Sequence, residues 1–215
     1  MINLKELLSL NKMKYSSDVK SKHQKKMNME TKIILDEMRV PTRPFPENSS
    51  KKTRNELEWL LNYNSGMIDE SFVKGGDDIT KVFKDYCKDN NLEFKKEYYD
   101  KILKESTKTI LSLKYYYNRP RPYQLAEYYG LKEFENFDLP SMKTPSYPSG
   151  HSTQGHLVAE LLGKTYPNHY EHFKELANMI SKSRLMARAH YPSDCKFGEE
   201  VAQHILGKVI QKKND

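Results

Sequence analysis

The chain has 215 residues, with 36 Lys and Arg against 29 Asp and Glu and a formal net charge of +7. That length suits one domain, or one domain with an extension, and is enough to bury a core. No apolar run is long enough to cross a bilayer, and two cysteines, Cys87 and Cys195, are too few for a disulfide framework or a zinc site. Met1–Leu10 carries Lys5 and Glu6 and has no small-residue cleavage site. No secretory signal is read there, and a cytoplasmic location is expected.

The charge is uneven. Residues 1–55 hold 13 Lys and Arg against 6 Asp and Glu, whereas the remaining 160 residues hold 23 of each. The basic surplus therefore belongs to the N-terminal segment. Residues 1–54 are read as a basic extension ending in a Pro-rich linker, and 55–215 as the domain that carries the chemistry. The extension lacks the interleaved aromatics and glycines of a dedicated nucleic-acid binder. It reads as a solvated arm, with peripheral contact to an anionic surface as the alternative.

Short helices are predicted over Asn3–Leu10 and Thr31–Met38, joined by a lysine-rich polar stretch. Pro41, Pro44 and Pro46 then impose extended backbone. From Asn55, the apolar positions Leu57, Leu60 and Leu61 predict an amphipathic helix ending near Asn64-Ser65-Gly66. Gly75-Gly76-Asp77-Asp78 reads as a turn that caps a helix from Ile79 to about Lys88. The longest helical pattern runs from Glu93 to Asn118 and is stopped by Pro120 and Pro122. Residues 123–147 read as a long, partly irregular connection. Its aromatics (Tyr123, Tyr128, Tyr129, Phe134, Phe137, Tyr147) would either wall a pocket or pack the loop onto the core. Helices follow over Ser149–Tyr166, Tyr170–Arg188 and Pro192–Lys212. No alternating strand pattern and no internal repeat is present. The fold class is all-α, a helical bundle whose site is built from helix ends and loops.

Polar residues on inward-facing stripes fall into three groups. Arg184 lies four residues after Ile180 on the stripe Phe173, Leu176, Ala177, Ile180 and Ala187. A guanidinium pointing into a core cannot shed its charge, so it needs a carboxylate or an anionic ligand. It shares its segment with His190 and Asp194. Lys114 sits four residues after Ile110 on the long helix, and Arg121 follows in the rigid Asn118-Arg119-Pro120-Arg121-Pro122 turn. Ser149, Gly150 and His151 open the next helix, where free N–H groups and the positive dipole end favour an anion. Cations, a helix N-terminus, two histidines and one carboxylate match what phosphoryl transfer needs: charge stabilisation, a nucleophile, an acid and a group that orients the nucleophile. Protein cations supply the charge, so no metal is required. Which histidine attacks is not decided by the composition of the set, although only His190 has a carboxylate in its own segment.

Lys114-x6-Arg121-Pro122, Pro148-Ser149-Gly150-His151 and Ser183-Arg184-x5-His190-x3-Asp194 resemble, in order, the three-part signature of the type-2 phosphatidic acid phosphatase superfamily. That superfamily includes the bacterial class A nonspecific acid phosphatases and the vanadium-dependent haloperoxidases. Every signature position is filled, and the resemblance covers roughly residues 95–210. It implies that His190 is the nucleophile that forms a phosphohistidine, that Asp194 orients it and that His151 is the general acid. It also implies that Lys114, Arg121, Arg184, Ser149 and Gly150 bind the phosphate. The expected activity is hydrolysis of small phosphate monoesters without a cofactor, with vanadate as an inhibitor. The alternatives are a vanadate-dependent haloperoxidase, in which vanadate is the cofactor, and a non-catalytic binding protein on the same fold. Arg119 and Arg188 are read as surface residues or supports of the site, and association into a homo-oligomer is left open.

Overall fold

Proline and the caps decide where the helices begin. The computed structural model describes residues 4–35 and 41–209, and the domain it shows is all-α, with no strand among the described residues. The helices are α1 (Leu4–Lys12), α2 (Ser21–Met27), α3 (Lys51–Asn62), α4 (Glu70–Gly75), α5 (Ile79–Asp89), α6 (Lys96–Tyr117), α7 (Pro122–Ala126), α8 (Gly150–Thr165), α9 (Tyr170–Met186) and α10 (Pro192–Leu206). Ser50, Asp69, Asp78 and Ser149 each accept the backbone N–H three residues on, which satisfies one orphan donor at the starts of α3, α4, α5 and α8. Pro122 and Pro192 occupy the first turns of α7 and α10, where their missing N–H costs nothing.

Most predicted helices are present, with ends shifted by a few residues. The helix expected over Thr31–Met38 is not formed over residues 31–35, and residues 36–40 lie outside the described residues. Instead Ile34 forms an isolated antiparallel bridge with Val209. The lysine-rich stretch expected as a connector contains α2, and α4 was not anticipated. The first and last predicted helices reach to residue 3 and into residues 210–212, outside the described set.

Helix α8 packs between α9 and α10. On one side Val158, Ala159 and Leu162 meet Phe83, Phe173 and Ile180; on the other Leu157 joins Leu113, Tyr147, Phe197 and Val201. The loop aromatics mostly serve this packing. Tyr147 stacks on Phe197 at 4.6 Å, and Tyr129, Phe134 and Phe137 lie against buried clusters, whereas Tyr123 and Tyr128 are exposed.

The segment before α3 lies against this body through specific contacts. Leu10 packs with the fully buried Leu57 and Leu60, each of which contributes about 1.5–3 kcal/mol. His23 Nδ1 is 2.6 Å from the Tyr115 hydroxyl, and Glu105 accepts the N–H groups of Ile33 and Ile34 at 2.8 and 2.9 Å. Both anchors hold the segment on α6, beside the end that supplies Lys114.

Candidate active site

Asp194 is aimed by the start of its own helix. Its Oδ2 accepts the Tyr191 N–H at 3.0 Å, closing the first turn of α10, and lies 3.2 Å from His190 Nδ1. His190 therefore stands in the lead-in to α10 rather than one turn along it. The Ser146 hydroxyl donates to the same oxygen in a short hydrogen bond, and Arg119 donates to Oδ1 at 2.6 Å. Burial opposes the carboxylate charge. Arg119, His190 and Ser146 more than offset it, and the Asp194 carboxyl is held well below the usual range. A carboxylate on Nδ1 leaves the lone pair of His190 on Nε2, the nitrogen turned towards Arg121, whose NH1 lies 3.0 Å away. Burial, with Arg121 and Lys114 nearby, keeps the His190 ring well below its ordinary pKa, so it is neutral at neutral pH.

The other cations converge here. Arg121 is fully buried, with NH1 on the Ala189 carbonyl, Nε on the Thr144 carbonyl and NH2 on Thr144 Oγ1 and the Ser141 carbonyl. Burial lowers it to about 10 despite Asp194. Lys114 donates to the carbonyls of Pro145 and Ser146 at 2.7 and 3.2 Å, and burial together with Arg121 pushes it well below the ordinary lysine range. Ser149 caps α8, so its own hydroxyl accepts the Ser152 N–H while its backbone N–H goes to the Asp194 carbonyl. Gly150 and His151 then hold the first N–H groups without an intrahelical partner. A Cβ on Gly198 of α10 would fall 2.8 Å from the Ser149 carbonyl oxygen. That glycine lets α10 approach the start of α8 closely enough to bring Asp194 to it.

Arg184 meets a carboxylate that periodicity does not reveal. Its NH1 donates to Asp77 Oδ1 at 2.6 Å, its NH2 to the Val73 carbonyl at 2.6 Å and its Nε to Ser183 Oγ at 3.1 Å. Asp77 Oδ1 is also 3.3 Å from His151 Nε2, which reaches the Asp77 carbonyl at 3.2 Å. The cap reading holds for Asp78, which accepts the Lys81 N–H, but Asp77 belongs to the site. His151 and Arg184 lower its carboxyl to about 2. Burial lowers His151, and Asp77 works against that. Gly76 makes this contact possible: a Cβ there would lie 2.2 Å from Ser183 Oγ, so the turn must be bare at that position to seat Asp77 on α9.

Arg119 and Arg188 are buried, which corrects the surface reading for both. Arg119 lies 3.7 Å over the Tyr191 ring and pairs with Asp194 and, at 3.2 Å, with Glu56, which in turn accepts the Ser193 N–H at 2.7 Å. It supports the site. Arg188, at a left-handed φ of 52°, ties the carbonyls of Leu61, Gly66 and Glu135 together and does not reach the cage. Next to His151 a cavity of about 450 Å³ opens outward past Asp77, Asp78, Ile79, Leu103 and Gln154. Among the described residues no cluster of metal-ligating side chains is present, and no helix is long and apolar enough to cross a membrane.

Lys114, Arg121, Ser149, Gly150, His190 and Asp194 thus gather at the starts of α8 and α10, Arg184 and His151 meet through Asp77, and comparison with known proteins covers the same stretch. Residues 102–206 match the PAP2 superfamily. The nonspecific acid phosphatase of Salmonella typhimurium is 30% identical over a region covering 48% of this chain and 46% of that protein. The acid phosphatase of Zymomonas mobilis is 37% identical over 28% of this chain and 23% of its own length. The chain spans about half the length of the Salmonella relatives it matches. Lys114, Arg121, the α8 start, Arg184, His190 and Asp194 all lie within residues 102–206, the stretch that matches the PAP2 superfamily and is similar to the nonspecific acid phosphatases.

Proposed function

We propose that this chain hydrolyses phosphate monoesters through a covalent phosphohistidine. The observation that carries the reading is the orientation of His190: a buried, neutral imidazole whose Nδ1 faces Asp194 and whose Nε2 faces a cation. The substrate phosphoryl group displaces the Arg121–His190 contact and is held by Lys114, Arg121, Arg184 and the Gly150 and His151 N–H groups. His190 Nε2 attacks phosphorus as the ester P–O bond breaks, and Asp194 stabilises the imidazolium that develops. His151 gives its proton to the departing oxygen. Water then attacks the phosphohistidine, His151 takes the proton of that water, and inorganic phosphate and free His190 result.

Asp77 holds His151 Nε2, so in the protonated ring Nδ1–H is the donor left for the leaving group. The same carboxylate occupies Arg184 NH1 in the absence of substrate. It acts as an internal anion that the phosphoryl group replaces. The charge on the phosphoryl oxygens is met by protein cations, so the reaction is expected to proceed without a metal, with vanadate as inhibitor.

Hydrolysis of p-nitrophenyl phosphate tests the reading. His190→Ala should lower kcat by at least about 10³-fold, EDTA should leave the rate unchanged, and radiolabelled phosphate should be trapped on histidine in acid-labile form. Activity that survives His190→Ala and is abolished by EDTA would overturn it.

A further inference from the structure

The mouth beside His151 adjoins a second cavity of about 330 Å³, with Leu103 and Gln154 lining both. Gln154 stands three residues beyond His151 on α8. It is held there by donation to the Leu103 carbonyl at 2.8 Å and to Ser106 Oγ at 3.2 Å, so the shared wall is rigid. The second cavity is also lined by Lys26 of α2 and Lys104 of α6, with Met29 and Thr107. A leaving group departing past His151 meets Gln154 three residues, or ~4.5 Å, along α8, at the edge of the cavity that Lys26 and Lys104 line.

Those lysines are placed by specific contacts. Helix α2 is held on α6 by His23 against Tyr115, and the chain after it by Glu105, the neighbour of Lys104. Lys20, Lys22, Lys25 and Lys26 stand in and just before α2, which has no acidic residue. Burial lowers His23, and Lys22, Lys26 and Lys20 lower it further, so a positive field is felt at this spot. Among the described residues no ion pair joins Lys26 or Lys104 to a carboxylate. At the near end Asp77 and Asp78 border the mouth together with Lys74, whose ammonium pairs with Glu70. The mouth is thus of mixed charge, whereas the cavity beyond Leu103 is lined by two lysines and no carboxylate.

We propose that the preferred substrate is a phosphate monoester whose leaving group bears a second anionic group, a phosphate or carboxylate, at the end of a spacer long enough to reach Lys26 and Lys104. The basic surplus of the N-terminal segment then selects substrate. The proposal rests on the phosphatase reading and names the substrate class for that site.

Matched substrates separate the two ideas. Hexanediol bisphosphate and hexyl phosphate share spacer and reacting group and differ in the far anion; propanediol bisphosphate carries the anion on a spacer half as long. The full chain should show a KM for hexanediol bisphosphate about fivefold or more below that for hexyl phosphate, with propanediol bisphosphate resembling hexyl phosphate. Lys26→Ala with Lys104→Ala should erase that advantage, and 0.5 M salt should erase it in the wild type, roughly as the ~4 Å Debye length at that strength implies. In the double variant, kcat and KM for hexyl phosphate and p-nitrophenyl phosphate should be unchanged. Equal KM values for hexanediol bisphosphate and hexyl phosphate in the wild type, or an advantage that survives the double substitution, would overturn the proposal while leaving the phosphatase reading intact. Failure of the wild type to hydrolyse p-nitrophenyl phosphate would overturn both.

Discussion

Asp77 is one carboxylate facing two groups with opposed needs. Arg184 must be free to bind a phosphoryl oxygen, while His151 must hold a proton to give away. Replacement by Asn keeps the shape and removes the charge. Burial lowers His151, and Asp77 raises it, so Asp77→Asn should lower it further. The protonated fraction at a given pH then falls, and the alkaline limb of the kcat profile should move to lower pH by about one unit, with kcat near pH 6.5 reduced about tenfold. Arg184 loses a competitor at the same time, so KM should stay level or fall. A variant with higher KM and an unmoved profile would show that Asp77 merely braces the loop. His190, His151 and Asp194 were legible in the sequence because helix starts, prolines and an inward-facing arginine leave a pattern. Asp77 was not, because its role depends on contact across 107 positions of chain, to Arg184.

At the scale of elements, two close approaches build the site. Helix α10 meets the start of α8 at Gly198, and the turn after α4 meets α9 at Gly76. Helical periodicity revealed which faces of α6, α8, α9 and α10 are buried, but periodicity is silent on how closely two elements approach. It also missed α2, whose sequence Ser-Lys-His-Gln-Lys-Lys-Met has no apolar stripe and is held through His23. The predicted helix from Thr31 failed over residues 31–35 because the Ile33 and Ile34 N–H groups are taken by Glu105 instead of by a helical turn. A Cβ at Gly76 would stand 2.2 Å from Ser183 Oγ and 2.7 Å from Ser183 Cβ. Gly76→Ala should therefore push Ser183, which accepts from Arg184 Nε, and shift Arg184 with it. A loss of about 1–3 kcal/mol in stability is expected, with KM for an aryl phosphate raised about tenfold. Adding Ser183→Gly removes both clashing atoms and should restore much of the stability. Additive losses in that double variant, followed by thermal melting, would rule out the contact as the cause.

For the whole molecule, the site lowers stability in acid and regains it by binding an anion. His190 and His151 lie below their unfolded values. Above about pH 6.5 both are neutral in either state and exert no pH-dependent effect; below it the unfolded chain takes up protons that the folded chain refuses, so stability falls as pH falls. Asp77, lowered to about 2, and Asp194, lower still, add a second window. Their contribution is complete above about pH 4 and is lost as pH falls through their folded values. A dianion in the cage reverses the first effect, because it favours the protonated forms of His151 and Lys114, so binding takes up protons. Sulfate keeps its charge throughout this range and is a suitable probe. Without it, Tm should be highest near neutrality and fall towards pH 5. With it, the rise in Tm should be larger at pH 5 than at pH 8, and a concentration of about 100 Kd should contribute ~2.7 kcal/mol. A sulfate-induced rise that is equal at both pH values, or larger at pH 8, would mean that His151 does not gain a proton when the cage fills. In that case His151 could not be the acid that the bound ester requires.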